Sequence, residues 1–233
     1  MRVDRYQHII DLVKKLGAAK ELYFVLRIQS RKDLTVHINN GKTEETSSGN
    51  LEGMGIQIFT PQGFMGFAAA DQITVQLAED LFAKAAFLAE QSQRFQGESN
   101  QEIFKLKKFN TRREIQLANP YGTLSLQEIE TKLKEINNQL TIMDSCFSVR
   151  TLLRLTDEEW RIARADGTDV IFNTPRSMLY HSITAKSSLD TATTFANIPG
   201  SDLGVLTQQA NITKLQERAK KAANLALDLL TAP

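Results

Sequence analysis

Leu34, Val36 and Ile38 alternate with Thr35, His37 and Asn39, and this period of two predicts a strand that buries one face. Asn40-Gly41 comes next, and both residue types accept the positive φ angles of a tight hairpin turn, so the chain is expected to fold back from Lys42. A second turn of this kind stands at Asp166-Gly167, after Trp160-Arg161-Ile162-Ala163-Arg164. The segments beyond the two turns are also alike. Met54 to Thr60, a turn at Pro61-Gln62-Gly63, the strand Phe64 to Ala70 and an apolar helix succeed the first. Ser177 to Ala185, Thr193-Thr194-Phe195-Ala196 and another apolar helix succeed the second. The pattern predicts an α+β fold of two β-meander-plus-helix units, related by duplication and joined by a helical connector. The expected boundaries are 1–95, 96–145 and 146–233.

Helical spacing of Ile9, Ile10, Val13 and Leu16 predicts a first helix, with Asp4 as its N-terminal cap and Gly17 at its C-terminal cap. Tyr23, Phe24, Val25, Leu26 and Ile28 predict a strand over 21–30, buried on both faces, and Arg31-Lys32-Asp33 a turn into the hairpin. Glu44 to Asn50 reads as a flexible polar stretch. Gly53 and Gly55 flank Met54 and allow a bulge or a close backbone approach. Leu77, Leu81, Phe82, Ala85 and Leu88 predict a helix over about 74–91, rich in alanine for close packing on a sheet. Ser125-Leu126-Gln127-Glu128 matches a capping box at the head of a helix carrying Ile129, Leu133, Ile136 and Leu140. A last helix is expected over 212–230.

Charge changes little in this picture. Twenty-eight Lys and Arg against 27 Asp and Glu leave a net charge of +1, which gives no general attraction to nucleic acid or anionic membrane. The longest apolar stretches are broken by Glu79, Asp80, Lys84 and Asp228, short of the ~20 residues that span a bilayer. The N-terminus carries no export signal, so a cytoplasmic location is expected. The single cysteine, Cys146, allows no intrachain disulfide and reads as a small packed residue.

Local chemistry is sparse. His8, His37 and His181 form no H-E-x-x-H or H-x-H arrangement, and no nucleophile elbow or phosphate-binding glycine loop is present. The pattern therefore points to no catalytic, cofactor-binding or metal-ligating residue. Glu44-Glu45 and Asp157-Glu158-Glu159 read as solvated acidic turns that could also face a cation or a basic partner. Lys105, Lys107, Lys108, Arg112 and Arg113, interleaved with Phe104 and Phe109, form the one basic concentration; beside Glu102 and Glu114 they read as a charged connector, with nucleic acid a weaker alternative.

The run from His37 to Thr46, then Ser48-Gly49, Gly53-Met54-Gly55-Ile56 and Gly63-Phe64-Met65-Gly66-Phe67-Ala68, resembles the N-terminal region of the TldD/PmbA (TldE) family, historically "modulator of DNA gyrase". Asp166-Gly167-Thr168 with Pro175-Arg176 resembles the family's middle region, whereas Gln57 stands where arginine is expected. The resemblance implies a cytoplasmic zinc metallopeptidase system in which TldD- and TldE-type subunits associate and take unfolded peptides. It also implies zinc held by an H-E-x-x-x-H motif in a C-terminal domain, and that motif is absent from this sequence. The expected role is a noncatalytic N-terminal portion of a TldD-like peptidase, without cofactor of its own, that serves subunit association, as a homodimer or with a TldD/TldE-type partner, and peptide enclosure. Glu44, Glu45, Gly53, Gly55 and Arg176 are its candidate surface. A free-standing assembly module is the second reading.

Overall fold

The computed structural model describes residues 1–141 and 147–231; Cys146 lies outside them. The fold is α+β. Its helices are α1 (Gln7–Ala19), α2 (Val75–Arg94), α3 (Leu126–Thr141), α4 (Gly204–Thr207) and α5 (Gln209–Thr231). Its strands are β1 (Tyr23–Asn39), β2 (Lys42–Phe59), β3 (Met65–Ala70), β4 (Asn110–Arg113), β5 (Phe147–Arg164), β6 (Asp169–Asn173), β7 (Arg176–Lys186) and β8 (Thr191–Gly200). The order helix, long strand, return strand, further strand, helix occurs twice. In the second copy the return is divided into β6 and β7 at Thr174-Pro175, where proline lacks the N–H that a ladder needs.

The two hairpins differ in their turns. Asn40 (φ 46) and Gly41 (φ 79) are both left-handed, as a two-residue I′ turn requires. In the second, only Gly167 (φ 87) is left-handed; Arg164 N–H bonds the Thr168 carbonyl, and the Asp166 carboxylate accepts from Thr168 N–H at 2.9 Å.

Contacts group the chain into two compact units that are not successive stretches of sequence. Unit 1 contains 1–31, 50–115 and 158–173. Its strands run in the order β3-β2-β1-β5-β6-β4, with β4 parallel to β6. Phe24, Leu26, Ile28, Met54, Ile56 and Ile58 pack with Ile9, Ile10 and Val13 of α1 and with Leu81, Phe82 and Ala85 of α2 in one core. Thr74 caps α2 by accepting from Leu77 N–H at 3.2 Å. Unit 2 contains 32–49, 116–157 and 174–233. There β5, β7 and β8 form an antiparallel ladder, and Val149, Leu153, Leu179, Ile183, Ala196 and Ile198 pack with Ile129, Leu133 and Ile136 of α3 and Leu215, Ala219 and Ala222 of α5. The expected capping box forms, with Ser125 N–H to Glu128 Oε2 at 2.7 Å and Glu128 N–H to Ser125 Oγ at 3.3 Å.

Four local expectations are corrected. Arg31-Lys32-Asp33 is no turn: β1 continues through it for 17 residues, and Thr156 Oγ1 donates to Asp33 Oδ1 at 2.8 Å. Glu44 to Asn50 is no flexible loop but part of the 18-residue β2, where Thr46 Oγ1 donates to Glu130 of α3 at 3.0 Å. Gly17 does not end α1. It lies inside that helix, where an added Cβ would sit 3.0 Å from the Phe24 ring, and the left-handed residue past the end is Glu21 (φ 53). Asp4 is not the N-cap of α1, which is Tyr6; it lies in a 3-10 turn over Arg2–Tyr6, where its carboxylate accepts from the Met1 ammonium at 2.8 Å, and both its oxygens accept from Arg112, at 2.8 and 2.7 Å.

Candidate functional site

In unit 1 the helices cover one face of the sheet, because Leu26, Ile28, Met54, Ile56 and Ile58 point inward. Period-two alternation sends their neighbours to the other face. There Arg27 and Gln29 of β1, Leu51, Gly53 and Gly55 of β2, Phe67 and Ala69 of β3 and Trp160 of β5 line an open trough of about 530 Å³. The glycines shape it. A Cβ on Gly53 would stand 2.8 Å from the Ala70 carbonyl oxygen, and one on Gly55 3.0 Å from the Phe67 ring, which lies across it. The β2–β3 register runs unbroken from Met54↔Ala70 to Phe59↔Met65, so Gly55 serves close approach and not a bulge. Leu51 (46%) and Phe67 (49%) are half exposed at the rim. Gln57 accepts from Arg27 Nη1.

The other candidate residues lie in unit 2. Glu44 pairs with Arg150 at 3.1 Å, and Arg150 also bonds His37 Nδ1 at 2.7 Å. Glu45 is exposed on the same strand. Arg176 is exposed and opposes Thr156, six residues along β5 from Arg150, a separation of about 20 Å at the strand rise. Glu44 and Arg176 therefore do not converge, whereas Gly53 and Gly55 share one trough.

The acidic run Asp157-Glu158-Glu159 is no solvated turn. It lies within β5, and Glu158 and Glu159 are buried: Glu158 accepts from Gln29 at 2.5 Å, and Glu159 from Val3 N–H at 3.3 Å with Arg2 at 3.3 Å. Of the basic residues, Lys105 pairs with Glu102 at 2.6 Å, and the Arg112 guanidinium holds the Asp4 carboxyl well below the usual carboxylate range.

Two features of unit 2 carry no local motif. The first is a buried polar chain. The Asn137 carboxamide accepts from Gly41 N–H at 2.7 Å and donates to the Val149 carbonyl and Thr151 Oγ1, each at 2.9 Å. Thr151 Oγ1 lies 2.8 Å from Nδ1 of fully buried His181, whose Nε2 has no partner among the described residues; burial lowers the His181 pKa to about 4. The second is a groove of about 660 Å³ between β8 and α5, lined by Phe195, Arg218, Lys221, Leu225 and Leu229 among others. Neither was evident in sequence, since each depends on which strand and helix become neighbours; the stripe of Lys221, Leu225 and Leu229 at four-residue spacing is the only trace.

Among the described residues no group of three His, Cys, Asp or Glu is placed to hold a metal ion, so these residues do not fit the zinc that the family resemblance implies. No described helix is long and apolar enough to cross a membrane.

Residues 24–90 match the family model described as PmbA/TldA metallopeptidase domain 1. No curated protein matches the chain. Three solved structures share its fold at a TM-score of 0.70. One is a Thermotoga maritima protein described as a candidate modulator of a DNA gyrase, 13% identical, covering 94% of this chain and 48% of that one. TldE from Thermococcus kodakarensis is 12% identical, covering 92% and 47%. A Bacteroides thetaiotaomicron protein, described as a candidate modulator of DNA gyrase, is 11% identical, covering 97% and 50%. The chain thus spans about half the length of these relatives. It is an α+β chain whose residues 24–90 match a first domain of PmbA/TldA type. In sequence over 24–90, and in fold over nearly all its length, it is similar to the N-terminal part of the TldD/PmbA metallopeptidase family.

Proposed function

We propose that the chain is the noncatalytic N-terminal portion of a TldD-like zinc metallopeptidase, working in the cytoplasm with a TldD/TldE-type partner subunit and helping to enclose unfolded peptide. The observation that carries this reading is the first-domain match over 24–90, joined to a fold that covers about half of a TldE chain. Gly53 and Gly55 contribute the floor of an open trough whose aromatic rim suits contact with another polypeptide, since aromatic residues are enriched at protein interfaces. Glu44, Glu45 and Arg176 supply charge on unit 2. Zinc belongs to the completed system, and no step of this chain runs through it.

Subunit association is the direct test. Sedimentation velocity of this chain mixed with a TldE-type subunit should give a species heavier than either alone at micromolar concentration. Substituting Phe67→Asp at the trough rim should weaken that association by at least about tenfold, the usual scale for an aromatic side chain that becomes buried in an interface. Separate sedimentation of the two proteins at all concentrations would count against the reading.

A further inference from the structure

We propose that the free edge of β8 beside α5 binds an extended peptide of pattern acidic-x-apolar-x-apolar; this rests on the peptide-handling reading above and assigns that handling a place. Among the described residues β8 is paired on one side only, by β7, in an unbroken register from Lys186↔Thr191 to Ser177↔Gly200. Arg218 Nη1 donates to the Asn197 carbonyl oxygen at 2.6 Å. That carbonyl therefore points away from β7. Backbone groups alternate in direction along a strand, so Phe195 and Thr193 also turn their N–H and C=O groups outward, where an added strand would meet them. Pro199 has no N–H, and Arg218 occupies Asn197; the open stretch is bounded at that end.

The wall of the groove selects side chains. Thr194 Oγ1 bonds the Ala222 carbonyl and Arg218 reaches Asn197, so α5 runs antiparallel to β8. Lys221, Leu225 and Leu229 line the groove at i, i+4 and i+8, rising about 6 and 12 Å along the helix. In a strand, residues at i, i+2 and i+4 rise by about 6.6 and 13.2 Å, nearly the same steps. A strand added antiparallel to β8 runs parallel to α5. It would lay an acidic side chain on Lys221, with Arg218 one turn away, and apolar side chains on Leu225 and Leu229. Those leucines are 52% and 51% exposed, an uncovered apolar pair next to two cations. The two intervening residues fall opposite Phe195 and Thr193 and exchange backbone hydrogen bonds with them.

The test uses the full chain and a fluorescein-labelled Ser-Glu-Thr-Leu-Thr-Leu-Ser peptide, read by anisotropy. The expected result is saturable binding. Methylating the backbone nitrogens of the threonines should weaken it at least about tenfold, because each methyl group removes an N–H donor and its hydrogen bond to the strand edge. Lys221→Glu, on an exposed helix face, should weaken it roughly fivefold and should bind better than wild type to the peptide with Lys in place of Glu. Equal binding by the methylated peptide, or an unchanged charge preference in K221E, would overturn the assignment. The methylated peptide leaves the protein untouched, so a folding defect in the variant cannot mask the answer. If a reduced, alkylated unfolded protein binds saturably and this peptide does not, the site falls while the peptide-handling reading stands; if neither binds, both fall.

Discussion

Substituting Gly66→Ala is expected to cost at least about 3 kcal/mol of folding stability, at the top of the range for overpacking, because the obstacle is backbone. A Cβ at Gly66 would lie 2.0 Å from the Ala85 carbonyl oxygen, 2.5 Å from Ala89 N and 2.8 Å from Leu88 Cβ. No rotamer change relieves such a clash; β3 and α2 must separate. Ala78, Ala85, Ala86 and Ala89 are buried on the facing side of α2, and their small side chains are what permit the close approach. Parting the two elements would open that layer of the core. Gly49→Ala is the control, since nothing lies within 4 Å of its added Cβ, and it should change stability by less than about 0.5 kcal/mol. Urea unfolding of the two variants measures the contrast.

The second large effect is loss of stability in mild acid through His181. Thr151 Oγ1 accepts from Asn137 Nδ2 and so has its own hydrogen to donate to His181 Nδ1, an arrangement suited to the neutral ring. A protonated ring would place a charge in the core with Nε2 unpartnered. The folded pKa of about 4 lies below the value of 6.5 for an exposed histidine. The unfolded chain therefore takes up a proton first as pH falls. The stabilisation is complete above pH 6.5, declines through the interval down to about 4, and is gone below it. At 1.36 kcal/mol per pH unit the loss is about 3 kcal/mol. Stability of wild type and His181→Leu, measured from pH 7 to 4, should diverge by about that amount, with the variant flatter. Parallel curves would show that this ring does not titrate on unfolding.

How far the sequence carried the fold depended on whether a feature was local. The Asn40-Gly41 hairpin, the Ser125-Glu128 capping box and the helix over 75–94 each depend on residues a few positions apart, and each was legible. The strand through Arg31-Lys32-Asp33 was not, because a charged run resembles a turn unless one knows that Thr156 meets Asp33. The polar stretch 44–50 likewise counts as strand only with Glu130 of α3 bonding Thr46. Glu158 and Glu159 looked like solvated charge, since their partners Gln29, Arg2 and Val3 are remote in sequence. Gly53 and Gly55 allowed either a bulge or a close backbone approach, and Trp160 and Phe67 join their trough only through strand order. The groove beside β8 required knowing that this strand is an edge and which helix flanks it.

The most direct test of the noncatalytic assignment is to incubate the chain with a reduced, alkylated unfolded protein in the presence of zinc, monitoring binding by anisotropy and cleavage by mass spectrometry. The account predicts saturable binding with the substrate intact at every time point. Cleavage that copurifies with this chain and is abolished by a zinc chelator would contradict it.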